Sequence, residues 1–252
     1  MFESLASCFT FRCSVSLNMT NIAVTFALPA ESSEFVRRLT DVSRPDRNGI
    51  RTIRGRIDDR PIEVLHTGVG EKVCRERLGK FLHGQEFELL ISSGFAGALD
   101  DQLEPGDLLL ADNFSTVHPR TKHSSFSELQ IWTGNLVTVP ALIHSSEERS
   151  KLAQSSGAAA IDMETEFIAR ACAEHGIPLL SLRVISDTPQ QVFPAPPNIL
   201  FDMARQRTNP VKLAGFFVTH PTRVPSLVRF ARRIAQARKT LASALVAILR
   251  EL

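Results

Sequence analysis

Residues 158–187 read AAAIDMETEFIARACAEHGIPLLSLRVISD, and this stretch decides the fold. Phe167, Ile168, Ala171 and Cys172 recur on one helical face, while Glu166, Arg170 and Glu174 fall elsewhere. The spacing predicts a helix over 165–175, stopped by Gly176. The run PLLSLRVI that follows, residues 178–185, is almost continuously apolar, as expected of a strand covered on both faces in an α/β sheet. Ligands in such sheets sit at the carboxyl ends of the strands, which is where Glu164 and Asp187 fall. Two readings of these acids stand on the residues alone. They face a common site, or Glu164 is a first-turn acid favoured by the helix dipole and Asp187 a turn residue ahead of Pro189.

Working outward, the pattern of strand, glycine turn and helix recurs. Strands are expected over 21–28, 49–57, 60–66, 87–93, 134–143 and 158–161, and helices over 31–39, 71–83 and 147–154. Glu31 sits at the turn after the first strand, and Thr67-Gly68-Val69-Gly70 is a second turn. The His- and Ser-rich stretch 117–127 reads as a mobile loop near the site, and the Pro-rich stretch 192–210 as irregular. Leu227, Phe230, Ala231, Ile234, Ala237, Leu241, Leu245 and Ile248 keep helical spacing through 225–250. That long helix is expected to dock on the core or on another subunit. Its Arg229, Arg232, Arg233, Arg238 and Lys239 keep peripheral membrane contact open.

The bulk properties exclude several classes. A chain of 252 residues that is 43% hydrophobic buries a substantial core as one α/β domain, expected over 21–252. With 29 Lys and Arg against 27 Asp and Glu, no overall field attracts nucleic acid. Cys8, Cys13, Cys74 and Cys172 show no metal spacing and the seven histidines are scattered, so reduced structural thiols and no metal site are expected. Residues 1–20 carry an acid at position 3 and a broken apolar run, which makes a poor signal peptide. They read as an N-terminal extension ahead of a start at Met19, on a cytoplasmic protein.

The 158–187 stretch resembles the nucleoside phosphorylase and nucleosidase superfamily, in which a Met-Glu pair holds the ribose and the Asp of a Ser-Asp pair works on the purine. IAVTFALPAE (22–31), LHTGVGEK (65–72) and ISSGFAGALDDQLEPGDLLLAD (91–112) are similar to the family's motifs, in the family's order. The resemblance implies one α/β domain whose mixed central sheet carries helices on both faces, with a long C-terminal helix, in a homo-oligomer. The ending PTRVPSLVRFARRIAQARKTLASAL (221–245) looks most like the hopanoid-associated branch, whose members remove adenine from adenosylhopane.

What the resemblance implies chemically is specific. Asp187, oriented by Ser186, would supply the proton that lets the purine leave without becoming an anion. Glu164 would accept from the 2′ and 3′ hydroxyls and answer the oxocarbenium charge, with Met163 packed beneath the sugar. Glu31 matches the position of the nucleosidases' water-activating base, in keeping with the two-carboxylate logic of glycoside hydrolysis. Gly94 and Phe95 would flank the sugar, and Leu142 and Ile143 the purine. Phosphorolytic relatives carry an Arg two places before the glycine and a Ser or Thr just after it, where this chain has Ser92 and Phe95. Without that bidentate anion contact hydrolysis is favoured, with Arg51, Arg54 or a neighbouring subunit as other sources of charge. No cofactor is expected, with phosphate a co-substrate only in the phosphorylase alternative. Phe95 and Pro140 depart from the nucleosidase pattern, which leaves a noncatalytic nucleoside-binding protein as the rival from another class. The absence of Tyr and the run Val192-Phe193-Pro194 suggest an apolar pocket for the nucleoside's 5′ substituent.

Overall fold

The computed structural model describes residues 21–118, 130–143, 145–191, 195, 196, 199, 206 and 210–252. In chain order the elements are β1 (Ile22–Phe26), α1 (Pro29–Val36), β2 (Thr40–Ser43), β3 (Asp46–Arg47), β4 (Ile50–Ile57), β5 (Arg60–His66), α2 (Glu71–Leu82) and β6 (Leu89–Ala98). There follow β7 (Leu108–Ala111), β8 (Ile131–Gly134), β9 (Leu136–Thr138), α3 (Ser146–Ser156), β10 (Ala160–Asp162), α4 (Thr165–His175) and β11 (Leu179–Asp187). The C-terminal part holds α5 (Pro210–Thr219), a 3-10 turn (Pro221–Arg223) and α6 (Val224–Glu251).

The sheet runs β2-β4-β5-β1-β6-β11-β7-β8 and is mixed. β1 lies parallel to β5 and β6, and β6 parallel to β11, whereas β4 with β5 and β7 with β11 are antiparallel. Alternation along the strands feeds two cores. Ile22, Val24 and Phe26 of β1 pack with Phe35 of α1 and with Leu241 and Leu245 of α6. Ala23, Leu90 and Leu179 pack on the other face with Cys74 and Leu78 of α2 and Ile168 and Cys172 of α4. Both faces are therefore covered, as the apolar strand runs require. Cys74 and Cys172 are buried free thiols, and burial lifts the Cys172 thiol to about 12.

Several elements differ from expectation. β6 continues through its glycine to Ala98, so Gly94 lies inside a strand rather than in a turn. The stretch expected as one strand over 134–143 ends at Thr138, because Val139 N–H turns to the Asp162 carbonyl (2.8 Å) and Pro140 has no N–H to continue a ladder. Leu142 and Ile143 therefore sit on a loop. Helix α5 starts at Pro210, the last residue of the Pro-rich stretch. In α6 the buried residues begin at Ala237; the stripe's first half, Leu227 to Ile234, turns to a cavity instead of the core. Residues 1–20, 119–129 and 192–194 lie outside the described residues, and with them Cys8, Cys13, most of the His- and Ser-rich loop and the Val192-Phe193-Pro194 run.

This division of α6 is testable. Leu245→Ala empties a fully buried site and is expected to destabilise the protein by about 2–5 kcal/mol in urea unfolding. Val228→Ala, on an exposed position in the same helix, is expected to stay within about 0.5 kcal/mol of wild type.

Candidate active site

At the carboxyl ends of β1, β6, β10 and β11 lies a cavity of about 470 Å³, within the usual range for a small-molecule site. Glu31, Phe95, Leu142, Ile143, Met163, Glu164, Ser186 and Asp187 all line it. Gly94 does not; it stands behind Glu31. A Cβ built on Gly94 would lie 3.0 Å from Glu31 Oε2, and its φ of +155° is one that other residues rarely adopt. The glycine is therefore what lets a strand pass directly behind a carboxylate.

Each carboxylate is delivered by a local device. Glu31, in the first turn of α1, folds back so that Oε2 accepts from the N–H groups of Ala27 (3.0 Å) and Leu28 (3.3 Å) at the end of β1. Glu164 precedes the first turn of α4, and its Oε1 accepts from Gly70 N–H (2.9 Å), which opens α2. Asp187 ends β11 after a bulge at Ser186, where the register shifts between Ile185 and Asp187. Ser186 Oγ donates to Asp187 Oδ1 (2.6 Å), and Oδ2 is ion-paired with Arg149 Nη2.

Arg149 was not anticipated from the sequence. It lies in α3, whose sequence SEERSKLAQSS shows no apolar stripe, yet it is only 1% exposed. Its Nε donates to the Ile143 carbonyl (3.0 Å) and its Nη1 to the Ala98 carbonyl (3.3 Å). One side chain thus ties the Leu142–Ile143 loop, the end of β6 and Asp187 together. Gly97 makes room for it, since a Cβ there would meet Arg149 Nη1 at 3.2 Å and Asp187 Oδ2 at 3.3 Å. The hint in the sequence was Gly97, whose missing side chain marks a close approach to the strand.

A second buried arginine answers Asp162. Arg183 on β11 donates through Nη2 to Asp162 Oδ2 (3.1 Å) and to Ser92 Oγ (2.8 Å). Thr138 Oγ1 also donates to Asp162 (2.8 Å), as does Thr165 N–H (3.1 Å). Ser92, at the position where phosphorolytic relatives carry their anion-binding Arg, is fully buried and already engaged. Arg54 is held by the buried Glu63 (3.2 Å), to which Arg47 also pairs (3.1 Å). The cations that line the cavity among the described residues are Arg149 and Arg238. Arg238, on α6, donates to the Ala30 carbonyl (3.2 Å).

Glu31 and Glu164, each held by backbone N–H groups, are both raised. Burial pushes Glu31 up to about 7 against the backbone N–H groups of Leu28 and Ala27; part of its surface faces the cavity, but surrounding protein removes most of its hydration. Burial, then the neighbouring Asp162 charge, pushes Glu164 up to about 8. Among the described residues no group of three or more His, Cys, Asp or Glu forms a metal site.

The sequence profile of the phosphorylase superfamily matches residues 21–127 and 120–218. The chain belongs to that superfamily. It is accordingly an enzyme of nucleoside N-glycosidic bonds, a nucleosidase or a nucleoside phosphorylase. A 5′-methylthioadenosine/S-adenosylhomocysteine nucleosidase of Staphylococcus aureus (strain MRSA252) is 23% identical over 195 residues, covering 66% of this chain and 86% of the relative. Among solved structures, futalosine hydrolase of Helicobacter pylori strain 26695 superposes with a TM-score of 0.67 at 18% identity, over 93% of this chain and 99% of that one. Campylobacter jejuni 5′-methylthioadenosine/S-adenosylhomocysteine nucleosidase gives 0.68 at 17% identity, over 92% and 100%. These likenesses confirm the fold: one mixed sheet with helices on both faces and a long C-terminal helix.

The raised carboxyls set a pH dependence of stability. The unfolded chain releases these two protons near 4.5, the folded one near 7 and 8, so between those values the folded state binds more protons and stability falls as pH rises. Denaturant midpoints measured from pH 5 to pH 8 are expected to decline, and Glu31→Gln is expected to flatten part of that decline. A midpoint that rises over this interval would contradict the burial of these groups.

Proposed function

We propose that this enzyme is a purine nucleosidase that hydrolyses the N-glycosidic bond of an adenosine bearing a bulky apolar 5′ substituent, releasing adenine. The observation that carries the reading is the convergence of Glu31, Glu164 and Asp187 on one cavity whose far wall is apolar, built from Leu213 of α5 and Leu227, Phe230, Ala231 and Ile234 of α6.

In this reading the purine lies against Leu142, Ile143 and Asp187, the ribose over Met163, and the 5′ group along the helical wall. Glu31 takes a proton from water as the oxygen attacks C1′. The C1′–N9 electron pair passes to the purine as N7 takes the proton of the Asp187 carboxylic acid, which is left as the carboxylate paired with Arg149. Glu164 accepts from the ribose hydroxyls and opposes the positive charge developing on the ring. Arg149 holds Oδ2 of Asp187, leaving Oδ1 and the Ser186 hydroxyl as the edge offered to the base. Hydrolysis over phosphorolysis is supported by Ser92, engaged by Arg183, and by the apolar Phe95 beside the sugar position. Arg238 is the observation that keeps phosphorolysis as the second reading, since its guanidinium reaches the same end of the cavity as Glu31. The similarity of the C-terminal sequence to the hopanoid-associated branch makes adenosylhopane the first substrate to try.

Adenine release from adenosine, methylthioadenosine, 5′-alkyl adenosines of increasing length and adenosylhopane tests the reading. kcat/KM is expected to rise with the apolar bulk of the 5′ group, and failure to release base from any purine nucleoside would end the proposal. Asp187→Asn is expected to lower turnover by about 10²-fold or more while nucleoside binding persists. Near-normal turnover would remove Asp187 from the reaction. Because Glu31 must be ionised to act as base and Glu164 to oppose the charge on the ring, kcat/KM is expected to climb as pH rises through about 7 and 8, and a profile flat from pH 5 to 8 would argue against those roles.

A further inference from the structure

The helices that wall the apolar end of the cavity have an outer face as well. On α5, Ala214, Gly215 and Val218 follow Val211 at helical spacing along one exposed side, and Val218 is 80% exposed. Val224 and Val228 extend the apolar surface onto the start of α6, where Arg229 and Arg232 are exposed beside them. Arg223 sits over the Phe216 ring at the junction, 5.9 Å from its centroid. The charge distribution is one-sided to an unusual degree. From Met203 to Arg250 the sequence holds ten Lys and Arg and no Asp or Glu, which leaves the remainder of a nearly balanced chain acidic.

We propose that this face is a docking surface for an anionic lipid bilayer, with α5 and the first half of α6 lying in the plane of the headgroups. Exposed valines and a small-residue stripe suit the boundary between headgroups and acyl chains, and the surrounding cations suit anionic headgroups. A second copy of the chain fits this face less well, because a two-fold contact sets each patch against itself and brings like charges together. Nucleic acid would use the arginines and leave the valines in water. Among the described residues no helix is long and apolar enough to cross a membrane, so the contact is one of lying on the surface. The inner sides of these same two helices line the cavity through Leu213, Leu227, Phe230 and Ile234. Docking here would bring the apolar end of the site to the bilayer, where a nucleoside with a lipidic 5′ group resides. That delivery role rests on the proposed substrate class, whereas the docking itself does not.

Co-sedimentation of the full chain with vesicles separates the two. Binding to phosphatidylcholine–phosphatidylglycerol vesicles is expected to exceed binding to phosphatidylcholine alone by about tenfold or more and to weaken as salt is raised. Val218→Asp, and separately Arg229→Glu with Arg232→Glu, are expected to lower the anionic-vesicle affinity by about tenfold or more. None of these residues lines the cavity, so adenine release from a soluble nucleoside is expected to stay at the wild-type rate and to show that the variants are folded. Equal recovery with neutral and anionic vesicles, or with neither, would overturn the proposal. So would light scattering that shows Val218→Asp converting an oligomer to a monomer, which would make this face a protein interface. Vesicle binding without activity on any nucleoside would leave the docking surface standing and remove the proposed substrate.

Discussion

Four carboxylates gather around one cavity, and only two buried arginines answer them. Among the described residues, Asp162 pairs with Arg183 and Asp187 with Arg149, while Glu31 and Glu164 accept from the backbone N–H groups of Ala27, Leu28 and Gly70. Removing a carboxylate from water is costly unless a charge or several donors replace the hydration. That constraint organises much of the fold's active end. Arg183 joins β6, β10 and β11, and Arg149 ties α3 to β6, β11 and the loop after β9. Glu31 and Glu164 hold protons up to about 7 and 8, where proton exchange with water or hydroxyl groups is possible near neutral pH.

The strand–helix–strand unit over 158–187 was legible because its periodicities are strong and its helix ends on a glycine in the left-handed conformation, Gly176 with φ +66°. The acids at its strand ends were legible for the same reason. Glycines in strands misled. Gly94 reads as punctuation, yet it and Gly97 lie within β6, where the absence of a side chain lets Glu31, Arg149 and Asp187 approach the sheet. Reading them as close-approach positions would have extended the strand and pointed to both partners.

Arg149 escaped because a charged residue on a polar helix looks solvated until the tertiary structure buries it. Its value depends on residues far apart in sequence, Ala98, Ile143 and Asp187, which no local pattern brings together. The apolar stripe of α6 marks it as a helix, but periodicity alone cannot say that one half packs into the core and the other faces a cavity. That distinction arises from where the helix leaves the sheet. The same geometry gives the enzyme a site whose polar end is fixed by the sheet and whose apolar end is a wall of two helices.

In the proposed reaction water is the nucleophile and Glu31 activates it. The most direct measurement is the identity of the sugar product formed in the presence of saturating phosphate, followed by ³¹P NMR and mass spectrometry. The free 5-substituted ribose is expected, at a rate that phosphate does not change and that Glu31→Gln suppresses. Accumulation of a ribose 1-phosphate, dependent on phosphate and retained in Glu31→Gln, would contradict the account and make Arg238 the residue to examine next.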